Sequence, residues 1–550
     1  MTVKCKINTP FDIIIVLPYL FSDHPSFPEG ILKKVLEKEG FSVGILETPF
    51  WQKKESFAAL GRPRLCFAIV TGPVDSILLN YTSLRKRRNE DLYQEGGRAF
   101  FSGYPPSIGY KIRPDRTTLV FANRIREAFG DVPIIIGGME ASMRRFAHYD
   151  FQQDAIRRSI LLDSRADILV VGMGERQMIK IARRLNEGTS IKDIVLPGTA
   201  RAVNAITSGI DIEEIPSHED ILQNRKKLLD AQVALERALR HGKKIAQRHA
   251  NRFIVEEPAE KYNDSDLALA YDQDYSRSHL RPGIYSPALR MNLFSITSHR
   301  GCGGGCSFCS IYCHQGKGIL SRSGDSILRE LHALLRHPEW KGSVSDIGGP
   351  TAEMYGTNCA KETCRRQSCL FPDRCSNFGN PEAYLELLRV CRNIKGVKKI
   401  FIGSGLRYDL LLHFPELLEE IMVHHAGKYL RIAPEHTEDS VLGLMGKPPF
   451  EALESFVQIF NSINKRLKRK VELAPYLMIG HPGESREDIV SMKAKLRALN
   501  IKTTDVQVFT PSPGTLSTAM YCGECSSSSS PVPVVKDVKE LMRRKRFLIG

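Results

Sequence analysis

The sequence predicts an α/β protein built from two successive parallel arrangements: an open sheet in the first 200 residues and a partial (βα)6 barrel from about residue 288. Two observations carry this. Residues 11–17, 42–46, 66–70, 132–137 and 166–171 are continuous Val/Ile/Leu-rich runs without polar alternation, the pattern of strands buried on both faces. From residue 288 a strand-then-helix rhythm repeats six times, which suits a barrel whose active site lies at the carboxyl ends of its strands.

In the first region, glycines follow two of the runs, in Gly137-Gly138-Met139-Glu140 and Gly172-Met173-Gly174-Glu175. Backbone can approach a ligand closely at such strand ends, although tight strand-to-helix turns need glycine too. Residues 201–287 read as a helical connector. Ser217 and Asp220 make a capping-box start, and Leu222, Leu228, Leu229, Val233, Leu235 and Leu239 recur among Lys, Arg and Gln toward His249, as in one long amphipathic helix.

The barrel strands are expected at 291–298, 343–347, 399–403, 429–433, 473–479 and 505–509. A helix with Ile327, Leu328, Leu331, Leu334 and Leu335 on one face follows the first of them and closes before Pro338. The barrel region ends near residue 520. Residues 521–550 are a Ser/Pro-rich linker and a short basic helix.

Chemistry concentrates just after the first barrel strand, at Cys302-Gly-Gly-Gly-Cys306-Ser-Phe-Cys309. Three thiolates on one tight loop can hold an iron–sulfur cluster, and a four-iron cubane with three protein ligands leaves one iron open to a small chelator. A zinc knuckle or idle thiols are the plainer alternatives, but structural zinc favours two C-x2-C pairs and four ligands, whereas this segment offers one compact triad. Cys313 follows four residues after Cys309; as a fourth ligand it would close the open iron. A second group, Cys359, Cys364, Cys369 and Cys375, could bind zinc or another cluster, and Cys522-x2-Cys525 is one further pair.

Composition bounds the setting. The 550 residues exceed a single core, and 42% hydrophobic with 25% charged residues is globular usage. No apolar run approaches the ~18 residues that span a bilayer, and thirteen cysteines bunched in groups suggest metal or redox duty in a reducing, cytoplasmic setting. The net charge of +16 admits nucleic acid as a partner. Yet short basic runs, at residues 85–88 and 543–546, form no single stripe and read as solvated faces.

The C-x3-C-x2-C loop with an aromatic residue before its third cysteine resembles the signature of the radical S-adenosylmethionine (SAM) enzymes. That resemblance implies a 4Fe-4S cluster on Cys302, Cys306 and Cys309, SAM on its open iron, a 5′-deoxyadenosyl radical, and a reducing partner such as flavodoxin or ferredoxin. It further implies cofactor binding by Gly348 and Gly349, where Pro350 replaces the usual Glu and a backbone carbonyl or Asp346 would have to serve. Arg407 would reach the cofactor's ribose or carboxylate. Glu435 and His436 supply an acid and a possible base, and residues 479–484 would shape the adenine site.

The first region resembles the cobalamin-binding domain that precedes many such barrels. His24, in Asp23-His24-Pro25-Ser26-Phe27, lacks the D-x-H-x-x-G context of cobalt-ligating histidines, which tells against cobalamin. Asp23-His-Pro-Ser-Phe27, Gly348-Gly-Pro-Thr351, Ala433-Pro-Glu-His-Thr437 and Thr510-Pro-Ser-Pro-Gly-Thr515 together resemble the YgiQ family, from about residue 10 to 521. No substrate follows from it. A methyltransferase or methylthiotransferase of the same chemistry, acting on RNA or protein, and a non-catalytic iron–sulfur or zinc scaffold are the alternatives.

Overall fold

The computed structural model describes residues 10–102, 110–206, 211–357, 359, 364–379 and 381–550. A nine-stranded sheet organises the first half, in the order Val43–Glu47, Ile13–Leu17, Cys66–Val70, Ile134–Gly137, Ile168–Val170, Thr199–Val203, Arg252–Glu256, Lys244–His249, Ile212–Ile215. The first five pair in parallel, as the apolar runs predict.

Every residue of Ile13–Leu17 and Cys66–Val70 is buried because helices cover both faces. Ile13, Ile15 and Leu17 pack with Ile31, Val35, Met178 and Ile181 from Pro28–Lys38 and Glu175–Asn186. Ile14 and Val16 pack on the opposite face with Phe121 and Ile125 from Thr117–Phe129. Each such aliphatic side chain contributes about 1.5–3 kcal/mol on burial.

The 201–287 connector departs from expectation. Ser217 does cap a helix through a capping box with Asp220, but that helix is only His218–Gln223, and Lys227–Arg240 is a second one. Gly242, at φ +63°, turns the chain into Lys244–His249 and Arg252–Glu256, an antiparallel hairpin that extends the first sheet. Ile245, Ala246 and Ile254 are fully buried there. The few apolar residues among Lys, Gln, Arg and His had read as a charged helix face; their burial against neighbouring strands decides otherwise.

The second half holds the six expected strands: Ser295–Thr297; Ser343–Val344 continued by Asp346–Gly348; Lys399–Ile400; Tyr429–Glu435; Glu472–Ile479; and Gln507–Val508. They associate in parallel and in chain order, the third joining the fourth through a Leu406–Ile432 bridge. This is a partial (βα)6 barrel. Its first strand is shorter than 291–298, because Pro287 starts a helix that runs to Asn292. The helix Gly324–Leu335 buries Ile327, Leu331 and Leu334 as expected.

The end of the chain closes against both halves. Cys522 and Cys525 lie buried in the first half's core, beside the helix Lys227–Arg240. The helix Val538–Ile549 lies on the barrel. Leu541 would stand 2.6 Å from a Cβ at Gly480, and Arg544 pairs with buried Glu484 at 2.7 Å. Among the described residues no helix is long and apolar enough to cross a membrane.

Candidate active site

The cysteine loop leaves the carboxyl end of Ser295–Thr297 through His299 and Arg300 and then turns at Gly301, whose φ is +82°. A Cβ at Gly301 would fall 1.8 Å from the Gly318 carbonyl oxygen, so only glycine lets the two limbs of the loop meet. Gly304 donates its N–H to Cys302 Sγ at 3.4 Å, and a Cβ on it would lie 3.4 Å from that sulfur and 3.7 Å from Cys306 Sγ. The glycines therefore keep the space between the sulfurs clear.

Electrostatics give that space a preference. Burial pushes the Cys309 thiol up to about 12, with Cys306 and Cys302 raising it further; burial and then Cys306 likewise raise Cys302. Thiols held up in this way ionise only when a compact cationic group accepts the thiolates. The residues thus fit an iron–sulfur cluster. Cys313 sits one turn along the helix Ser310–Gln315; burial raises its thiol first, then Glu236, then Cys309, so it faces the helix Lys227–Arg240 as well as the loop.

The predicted partners converge around this loop, with altered roles. Arg407 Nη1 stands 3.7 Å from Cys306 Sγ and would approach a Cβ on Gly304 to 2.8 Å. Its guanidinium is held by Asp409 at 2.8 Å, and although burial opposes the charge, Asp409 keeps Arg407 protonated. Gly348 accepts from Ser298 N–H at 2.7 Å, and Gly349 packs so closely on His299 that a Cβ would meet its ring at 2.6 Å. Asp346 is engaged: it accepts from Gly403 N–H at 2.9 Å and Ser404 Oγ at 3.0 Å, tying the second and third strand ends together.

Glu435 is half-buried, with a carboxyl raised by desolvation, and has Lys447 at 3.9 Å. His436 accepts from Glu438 N–H, and His481 is bound by the Pro482 carbonyl and by Ser517 Oγ, which also bonds Ser307 Oγ of the cysteine loop at 2.7 Å. His24 accepts from Ser26 N–H at 3.0 Å on Nδ1 and meets Arg277 at 2.5 Å on Nε2. Both ring nitrogens are taken, which removes it as a metal ligand.

Three residues that carry the site were not singled out from sequence. His299 is buried, bonded at Nδ1 to Ser298 Oγ at 2.9 Å, with no hydrogen-bond partner at Nε2 among the described residues. Burial holds its ring down at about 4, hence neutral at pH 7. Glu353 accepts from the Arg407 backbone N–H while its second oxygen has no partner there, and burial pushes its carboxyl up to about 8. Asp409 completes the set. Their position next to Cys302 and Gly349, and two residues past Arg407 and Thr351, was the only available signal.

A cavity of about 510 Å3 opens where the two halves face each other. It is lined by Gly72, Gly138 and Gly172 from strand ends of the first sheet and by His299, Asp346 and Gly349 from the barrel. The halves are locked across it. Arg300 donates to buried Glu175 at 2.7 Å and to the Tyr271 hydroxyl at 2.9 Å, and a Cβ on Gly172 would strike the His314 carbonyl oxygen at 2.7 Å.

A cysteine loop on the first strand of a partial barrel, behind an open α/β sheet, defines a radical SAM enzyme, and residues 3–289 match the family described as Radical SAM N-terminal. A UPF0313 protein of Clostridium botulinum (strain ATCC 19397 / Type A) is 40% identical over 554 residues, covering 98% of this chain and 84% of that one. A UPF0313 protein of Methanocella arvoryzae is 41% identical, covering 96% and 88%. The chain belongs to the UPF0313 (YgiQ) family of radical SAM proteins. Its fold is similar to that of the radical SAM methyltransferase TsrM from Kitasatospora setae, solved with cobalamin and a [4Fe-4S] cluster, at TM-score 0.53 and 16% identity over 93% of this chain and 77% of that one.

Proposed function

We propose that this enzyme binds a 4Fe-4S cluster on Cys302, Cys306 and Cys309, cleaves SAM reductively there, and directs the radical onto a small organic substrate held in the cavity between its two halves. The carrying observation is the loop itself: three neighbouring thiols, with glycines keeping the space beside them clear, just past a strand end whose His299 and Arg300 line the cavity. Bound with one iron free, such a cluster supplies the electron that converts SAM to methionine and a 5′-deoxyadenosyl radical.

The chain's own residues orient and exclude. The Gly348 and Gly349 backbone, on the cavity wall, would offer its polar groups to the amino end of SAM. Arg407 serves the sulfurs instead of the ribose, because Asp409 aims its guanidinium at Cys306. Neutral His299 lines the cavity beside Gly349, and its ring would serve there as a hydrogen-bonding group toward a ligand. The packing of Gly72, Gly138 and Gly172 shields the reacting centre from water.

The electron would come from a one-electron donor of the flavodoxin or ferredoxin class, in the cytoplasm; the described cysteines are all unbridged, which suits a reducing compartment. The RNA-directed alternative gains little support, since Arg543, Arg544 and Lys545 of the basic tail are engaged by Glu540, Glu484 and Asp505. His24, with both ring nitrogens engaged, is no candidate cobalt ligand.

Anaerobic reconstitution followed by reduction in the presence of SAM tests the proposal. Release of 5′-deoxyadenosine well above a Cys306→Ala control is expected, and equal release from the two proteins would overturn it.

A further inference from the structure

The second cysteine group is assembled against the outer side of the first loop. Cys369 donates its N–H to the Gly303 carbonyl at 2.8 Å, and its sulfur would lie 3.5 Å from a Cβ on Gly303. Cys375 in turn donates its N–H to the Cys369 carbonyl at 2.8 Å. Ser368 Oγ donates to the Gly304 carbonyl at 2.6 Å while accepting from Leu370 and Phe371 N–H, and Arg366 pins the segment through Asp373 at 3.2 Å. The stretch is a built support, with Cys369 and Cys375 buried beside Met354, Leu370, Phe378 and Leu410, and Cys302 packed on the same cluster.

The segment also meets a cation from the first loop. Burial raises the Cys369 thiol; Lys317 opposes that, and Cys364, Cys375 and Cys359 each raise it again. Lys317, a cation from just past the first loop, donates to Cys364 Sγ at 3.0 Å. An ammonium ion beside a sulfur is the setting of a thiolate, and buried apolar walls keep solvent from bound metal.

Tetrahedral zinc draws four sulfurs to about 2.3 Å from one point. Among the described residues no three Cys, His, Asp or Glu side chains are gathered that tightly, neither here nor at Cys302, Cys306 and Cys309. A cubane, whose thiolates sit on different irons, does not ask for that convergence.

We propose that Cys359, Cys364, Cys369 and Cys375 ligate a second iron–sulfur cluster, with a thiolate on each of its irons, seated against the 302–309 loop. With every iron filled by protein it binds no SAM. Its site is independent of the reaction proposed above.

The test is metal analysis of the full chain, reconstituted anaerobically, with Cys302, Cys306 and Cys309 all changed to Ala. About four irons and four sulfides per chain should remain, with a reduced-state EPR signal that added SAM leaves unchanged. Absence of iron from a folded triple variant, or zinc in its place, would overturn the proposal. Should the triple variant fail to fold, the wild type against Cys369→Ser/Cys375→Ser decides: iron is expected to drop by half, from about eight to about four, while the SAM-sensitive EPR signal persists. An unchanged iron count in that variant equally overturns it.

Discussion

Arg407 Nη1 lies 3.7 Å from Cys306 Sγ while Asp409 fixes the rest of the guanidinium at 2.8 Å. A buried cation held against a cluster sulfur stabilises the more negative, reduced state and strengthens ligation. Arg407→Gln should therefore lower the cluster's reduction potential and hasten iron loss to a chelator by about ten-fold or more. Because the substitution strands buried Asp409, the Arg407→Gln/Asp409→Asn double variant is the proper comparison. EPR-monitored redox titration checks it; an unchanged potential in the double variant would remove Arg407 from the site.

Gly301 offers a sharper separation of fold from site. With φ at +82° and a Cβ position 1.8 Å from the Gly318 carbonyl, Gly301→Ala must push apart the limbs that carry the cysteines. The barrel core lies elsewhere, so far-UV circular dichroism is expected to remain while reconstituted iron falls several-fold. Full iron loading of Gly301→Ala would show that the loop tolerates the rearrangement.

The strands of both halves were legible because doubly buried strands need unbroken apolar runs, and residues 11–17 and 66–70 supply them. The cysteine loop was equally plain, since its chemistry depends on local spacing. What stayed hidden depends on distant neighbours. The hairpin 244–256 became strand only through pairing with Thr199–Val203 and Ile212–Ile215. Arg407 was placed by its strand end, but its direction toward Cys306 is set by Asp409 two residues on. His299 is marked only by its packing on Gly349 and its place on the cavity wall, neither of which is local in sequence.

Two buried carboxyls set a pH slope. Burial raises Glu29 and Glu353 each to about 8, far above the usual 4.5, and neither gains a cation that cancels the cost. The folded state then holds protons that the unfolded state releases between pH 4.5 and 8, so stability falls as pH rises through that window. Glu29→Gln keeps an acceptor for the Tyr19 hydroxyl, now 3.0 Å away, and should gain on the order of a few kcal/mol at pH 8 relative to pH 5. Denaturant melts at the two pH values measure this. A gain that is the same at both would refute the titration.

Arg300 and Glu175 join the halves at 2.7 Å, each less than a tenth exposed, with the Arg300 guanidinium also 5.0 Å above the Tyr271 ring. Removing one member of a buried pair leaves the other charge without compensation, at a cost of about 3–5 kcal/mol. Arg300 also precedes the Gly301 turn, so its loss acts on the cysteine loop as well as on the seam. Glu175→Gln retains an acceptor for Arg300 and should destabilise less than Glu175→Ala, which empties the position. Both should loosen the cavity before they unfold the barrel. Hydrogen exchange is the measurement: protection is expected to fall in the loop and in residues 172–178 while the strand Glu472–Ile479 keeps its own. Uniform loss across all three segments would mean that the pair supports the whole fold and not the seam between its halves.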